Sequence, residues 1–273
     1  MYQPRQAPAR PTASVGAAPP QAAPTLELLL PPEPQSIEET GLSIGFLSDL
    51  ALKTLYLRGQ MTLAEIASAL GLPIGSVTEK VLDFLKGERL VEIRGASGMS
   101  SASYQFVVVD RGAEKAQEAL QRGQYVGKAP VPLAAYVAAV QRQSIGSVAV
   151  TQEEIAKALS SMVIPRATLS QLGPAINSGK SIFIFGPPGN GKTTIAEIMI
   201  SLLRGEVILP HAIEVDQQVI RVFDPVYHRP IMDPAAAERL RYDHRWVVSK
   251  RPVVMTGGEL TLETLDLIYD PHS

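Results

Sequence analysis

Ser181-Ile-Phe-Ile-Phe-Gly-Pro-Pro-Gly-Asn-Gly-Lys-Thr-Thr194 is the stretch that decides the fold reading. Residues 181–185 form an apolar run with the length of a buried strand in a parallel sheet. Residues 186–193 match GxxxxGK[ST] in full. Residues 194–204 read as a helix, with Gly205 placed as its C-terminal cap. A glycine loop between a strand and a helix is the setting in which this spacing cradles phosphate.

The residue types fit that chemistry. Without Cβ atoms, Gly186, Gly189 and Gly191 let backbone N–H groups approach a triphosphate closely. A helix opening at about Lys192 aims its positive end at the anion. Lys192, the candidate catalytic residue, carries a compact charge to the β and γ phosphates. The Thr193 hydroxyl is the candidate metal ligand, for Mg²⁺. Pro187 and Pro188 stiffen the loop. The candidate nucleotide-binding set is Gly186, Pro187, Pro188, Gly189, Asn190, Gly191, Lys192, Thr193 and Thr194, with ATP and Mg²⁺ as ligands.

The spelling GPPGNGKTT, preceded by a helical segment ending in Asn177-Ser-Gly179, resembles the AAA+ ATPase family over about residues 163–273. That resemblance implies ATP hydrolysis coupled to remodelling of a protein or nucleic acid. It also implies a homo-oligomeric ring and nucleotide contacts from Gly189 to Thr194. It would set Val163 and Ile164 against the adenine, although by burial habits alone the two read as core.

Phosphoryl transfer further needs a carboxylate for the metal. The nearest candidate is Asp270 at the end of residues 265–270. Asp266 interrupts that run, Pro271 follows it, and Thr261 reads as the N-cap of a helix over 262–268. Only 88 residues run from Gly186 to Ser273, few for a five-stranded core with a helical lid. The expectation is an incomplete ATPase module over residues 163–273 that turns ATP over poorly by itself. A compact, divergent P-loop domain is the alternative. Strands are expected at 207–209, 212–215, 219–223, 246–248 and 253–255, with a hairpin at 216–218 and a turn at 257–258. Arg239, Arg241, Arg245, Lys250 and Arg251 cluster on and after a helix expected at 235–241. They read as a solvated basic face, or as the source of an arginine finger for a neighbouring subunit. His211, His228, His244 and His272 show no metal-ligand spacing.

Upstream, residues 1–40 are expected to be a disordered Pro/Ala-rich tail, because nine of the 22 prolines fall within residues 1–36. The run 26–30 reads as a tail with leucines, or as a short docking motif. Residues 41–126 show helix, helix, helix and then two strand-like stretches around a Gly/Ser-rich tip at 95–101, closed by a polar helix at 113–121. Thr62 and Glu65 stand at capping-box spacing. The pattern over 43–110 resembles a winged helix-turn-helix domain. Residues 127–162 read as a connector with helices, including a second capping box at Thr151 and Glu154.

The fold class expected is α/β: a P-loop NTPase-type, mostly parallel sheet with helices, behind a small winged helix-turn-helix domain. No run approaches the roughly 20 apolar residues of a membrane span; residues 131–140 are the longest candidate. The chain has no Cys, so disulfide and thiolate chemistry are excluded, and the expected location is cytoplasmic. A net charge of -2 argues against a strongly basic nucleic-acid binder. Residues 41–126 hold nine Lys+Arg and nine Asp+Glu. A protein partner is therefore expected for the winged helix, with DNA contact as the other reading. Two functions remain at this point. One is an AAA+-like ATPase recruited to a macromolecular partner. The other is an ATP-sensing winged-helix DNA-binding regulator.

Overall fold

The computed structural model describes residues 30–96, 103–144, 150–160, 162–203, 205–232 and 241–253. The architecture is mixed α/β, with small sheets and packed helices. Expectations for residues 97–101, 235–240, 254–258, Asp266 and Asp270 lie outside the described residues.

Ser43 opens the first helix, α1 (Ile44–Arg58), by accepting the Phe46 N–H on its side chain. Leu47, Leu50, Leu52 and Leu55 of α1 are buried, each stabilising the fold by roughly 1.5–3 kcal/mol. β1 (Met61–Thr62) leads into α2 (Leu63–Leu70), where the capping box forms as expected, Thr62 and Glu65 each satisfying the other's backbone N–H. The third helix enters through a wide π-helical turn, Ile74–Thr78, before α3 (Glu79–Gly87). Gly87 is the last residue of that helix, and the left-handed residue after it is Arg89 (φ 56°).

β2 (Val91–Ala96) and β3 (Tyr104–Val108) pair antiparallel, and the sheet order is β1-β3-β2. α4 (Asp110–Arg122) packs back on α1. Gly112 makes that return work, because a Cβ there would stand 2.0 Å from the Leu90 carbonyl oxygen. Gly112→Ala is expected to cost about 1–3 kcal/mol through forced displacement of backbone, read as a lowered urea midpoint.

Residues 30–40 do not form the free tail expected. Leu30 packs on a neighbouring core, the Pro31 carbonyl accepts the Asp243 N–H at 2.9 Å, and the Pro34 carbonyl accepts from Ser76 Oγ. Proline cannot donate, but its carbonyl still accepts, so a proline-rich strand can be strapped down through its oxygens. A short 3-10 helix, Glu38–Thr40, ends the strap.

The stretch expected to be a connector contributes β4 (Val131–Pro132) and α5 (Leu133–Arg142). β5 (Glu206–Pro210), β6 (Ala212–Val215), β7 (Gln218–Arg221) and β8 (Trp246–Lys250) follow. They form two small sheets, β4-β6-β7 and β5-β8, around Val131, Ala139, Ile208, Ile213, Trp246 and Val248. The β6–β7 hairpin turns through Asp216 (φ 51°) and Gln217 (φ 67°), the left-handed pair that a two-residue hairpin needs. Gln143 fills both backbone groups of Ile208 from α5's end.

The mostly parallel sheet is corrected by this topology. Among the described residues the parallel pairing is β4 with β6, two residues long, and the other pairs are antiparallel. The remaining helices, α6 (Gln152–Ala158), α7 (Arg166–Asn177) and α8 (Lys192–Leu202), share a separate core of Val150, Ile155, Leu159, Leu172, Ile176 and Met199. No helix among the described residues is long and apolar enough to cross a membrane.

Candidate functional site

The glycine loop hangs between α7 and α8. At the end of α7 the Asn177 amide clamps Val150, accepting its N–H at 2.8 Å and donating to its carbonyl at 2.9 Å. That clamp joins the segment before α6 to the end of α7. The sequence marked Asn177 only as part of a helix ending. Thr151 and Glu154 then form the expected capping box that starts α6. Hydrogen bonds from Thr151 hold the Glu154 carboxyl below its ordinary range.

Residues 181–185 lie outside any strand, and no strand among the described residues pairs with them. Ile184 packs into the helical core, while Phe183 and Phe185 are 85% and 82% exposed, their rings stacked 6.1 Å apart. The expected buried strand is corrected to an unpaired segment outside any sheet. A buried strand needs neighbours on both edges, and sequence pattern cannot report whether they are there.

The loop itself adopts the conformations that only glycine takes easily. Gly186, Gly189 and Gly191 have φ of 152°, 84° and 69°. A Cβ at Gly186 or Gly189 would meet nothing within 4 Å, so both backbones face open space. Gly191 is the N-cap of α8, so the helix opens at Lys192, where the phosphate-binding reading expects its positive end. Leu203 rather than Gly205 caps its far end. Lys192 Nζ folds back over the loop, donating to the Gly186 carbonyl at 2.9 Å and the Pro187 carbonyl at 2.8 Å. It thereby stands at the helix N-terminus, where first-turn N–H groups lack intrahelical acceptors. Pro188, Asn190, Thr193 and Thr194 are exposed around it. All nine expected site residues thus fall on one loop and the first turn of one helix.

Met162 was missed in the sequence. A Cβ on Gly191 would stand 2.9 Å from its terminal methyl, so Met162 covers the loop's last glycine. Val163 beside it is fully exposed, and Ile164 packs with the helical core. Gly191→Ala is expected to cost about 1–2 kcal/mol, mainly from the left-handed backbone, since the methionine end can yield. Thermal melting of the purified variant checks it.

The basic cluster does not behave as one face. Arg245 is buried, paired with Asp243 at 2.7 Å and donating to the Thr40 and Pro130 carbonyls. Arg251 also turns inward, donating to the Gln143 carbonyl, and its Nε is buried without an acceptor. Arg241 and Lys250 are exposed. His211 is pushed down to about 4 by burial, with Lys128 adding to the effect, and His228 Nδ1 accepts the Asp224 N–H. Among the described residues no group of three His, Asp or Glu gathers to hold a metal.

Over 101 aligned residues the chain is 32% identical to the zinc import ATP-binding protein ZnuC 1 of Hahella chejuensis (strain KCTC 2396). The alignment takes in 31% of this chain and 38% of that relative, so the chain spans well under half the length of the curated protein it matches. No protein-family model and no solved structure matches the chain.

Proposed function

We propose that this chain is a P-loop ATPase that binds ATP at Gly186–Thr194. The observation that carries the proposal is the pose of Lys192: its ammonium sits on two neutral carbonyls of a glycine loop at a helix N-terminus. A phosphate oxygen pairs the ammonium with a full negative charge where the carbonyls offer only dipoles, so a triphosphate displaces those carbonyls as acceptors. Likeness to an ATP-binding protein supports the same reading.

The residues divide the work. The backbone of Gly186–Gly191 wraps the phosphates at close approach, and the opening turn of α8 supplies N–H groups and a positive dipole end. Lys192 neutralises charge that builds on the phosphates during transfer. The exposed Thr193 hydroxyl, in the first turn of α8, fits a protein ligand for Mg²⁺, an ion that neutralises phosphate oxygens when bound. Met162 lies against Gly191 at the end of the loop.

Two finer assignments belong to the proposal. The loop spelling supports an AAA+-like module acting on a macromolecular partner, assembled as a ring in the cytoplasm. The order α1-β1-α2-α3-β2-β3, with sheet order β1-β3-β2, supports a winged helix as the recruiting module. That same order favours a second reading, an ATP-sensing DNA-binding regulator. α3 carries Glu79 and Asp83 against Lys80 and Lys86, so it brings no surplus charge to DNA. Titration of the whole chain with Mg-ATP by calorimetry, beside a salt series of duplex DNA binding, separates them. The ATPase reading expects ATP binding and no steep salt-dependent DNA affinity. Tight DNA binding that falls steeply with salt would support the regulator instead.

A further inference from the structure

Residues 125–128 lead from the N-terminal body into β4, and a cleft of about 740 Å³ opens over them. Arg58 at the end of α1, Glu65 on α2, His211 before β6 and Arg221 at the end of β7 line it together with Tyr125 and Lys128. We propose that this cleft binds a small phosphate-bearing metabolite.

Charge supports that ligand class. Arg58 and Arg221 have no acidic partner among the described residues. The Arg221 guanidinium lies 5.8 Å over the Tyr125 ring, which orients it without neutralising it. Lys128 gives one N–H to the Ser68 carbonyl at 2.7 Å, leaving two others free to donate. Burial lowers its affinity for a proton, an effect that a bound anion reverses. Glu65 is the one acid in the cleft, and its carboxylate is held by Thr62. Three cations against that carboxylate leave a surplus of two positive charges, the complement of a phosphate dianion. The guanidiniums offer the planar forks that suit phosphate oxygens. His211 is neutral at pH 7 and adds hydrogen bonding rather than charge.

Shape and placement narrow the class. The concavity is shallow and open to solvent, so a small anion reaches the cations without crossing a barrier. The walls come from the N-terminal helices and from the β4-β6-β7 sheet, so the ligand would bridge both.

The test uses the full chain carrying Lys192→Ala, which silences the glycine loop, and titrates inorganic pyrophosphate by calorimetry. Saturable one-to-one binding is expected. Arg58→Gln and Arg221→Gln should each weaken it by at least about tenfold, and together abolish it, with circular dichroism unchanged. No saturable heat, or the same affinity in the double variant, overturns the proposal. A single-stranded oligonucleotide that displaces pyrophosphate and binds more tightly also overturns it, in favour of nucleic acid. Pyrophosphate binding that survives in the parent chain but vanishes with Lys192→Ala assigns the phosphate to the glycine loop. That result removes the cleft proposal while leaving the nucleotide reading intact.

Discussion

Lys192→Ala is expected to weaken ATP binding by at least about a hundredfold, equivalent to about 2.7 kcal/mol. Its ammonium contacts only the Gly186 and Pro187 carbonyls of an exposed loop. Removing it therefore takes away ligand contacts without opening a core. The melting temperature of the unliganded variant should stay near that of the parent, within the range of surface substitutions. Lys192→Arg is expected to fail as well, because the planar fork cannot reproduce a compact ammonium over two neighbouring carbonyls. Calorimetry with Mg-ATP on the three proteins checks this. Equal affinities would remove Lys192 from the site.

The second large effect concerns stability. Asp243→Ala is expected to cost about 3–5 kcal/mol, because it leaves the Arg245 guanidinium buried without its counter-charge. Both side chains are about 5% exposed or less, and Arg245 also holds the Thr40 and Pro130 carbonyls. One side chain thus ties together the N-terminal strap, the entry to β4 and the entry to β8. Asp49 provides the comparison. It pairs with Arg122 at 2.6 Å, but both side chains are exposed, so Asp49→Ala should stay within about 1 kcal/mol. Urea unfolding of both variants reads the difference. A cost for Asp243→Ala no larger than for Asp49→Ala would contradict the role given to the pair.

Local signals carried the parts of this fold that the sequence disclosed. The capping boxes at Thr62 and Thr151 are short-range devices, three residues wide, and both form. The Asp216–Gln217 hairpin lies where alternating strands met a polar pair, although no glycine marks it. The glycine loop was legible because its function needs fixed residue types at fixed spacing. What stayed hidden depends on distant partners. Nothing near Arg245 announces a carbonyl at Thr40, so a buried anchor looked like one more surface charge. The strap at 30–40 looked free because its anchors, Ser76 and Asp243, are far along the chain. Residues 181–185 read as a continuous apolar run of strand length, but such a run says nothing of whether neighbouring edges are there to pair with it. Met162 escaped because a methionine near a helix start reads as filler until a glycine is seen beneath it.

The central claim is that the backbone from Gly186 to Thr194 folds around nucleotide phosphate. The most direct measurement is an amide-resolved NMR titration of the ¹⁵N-labelled chain with Mg-ATP. Large shifts confined to the amides of Gly186 and residues 189–194, and absent in Lys192→Ala, are the predicted result. Amides there that stay unmoved at saturating nucleotide, while others shift, would contradict it.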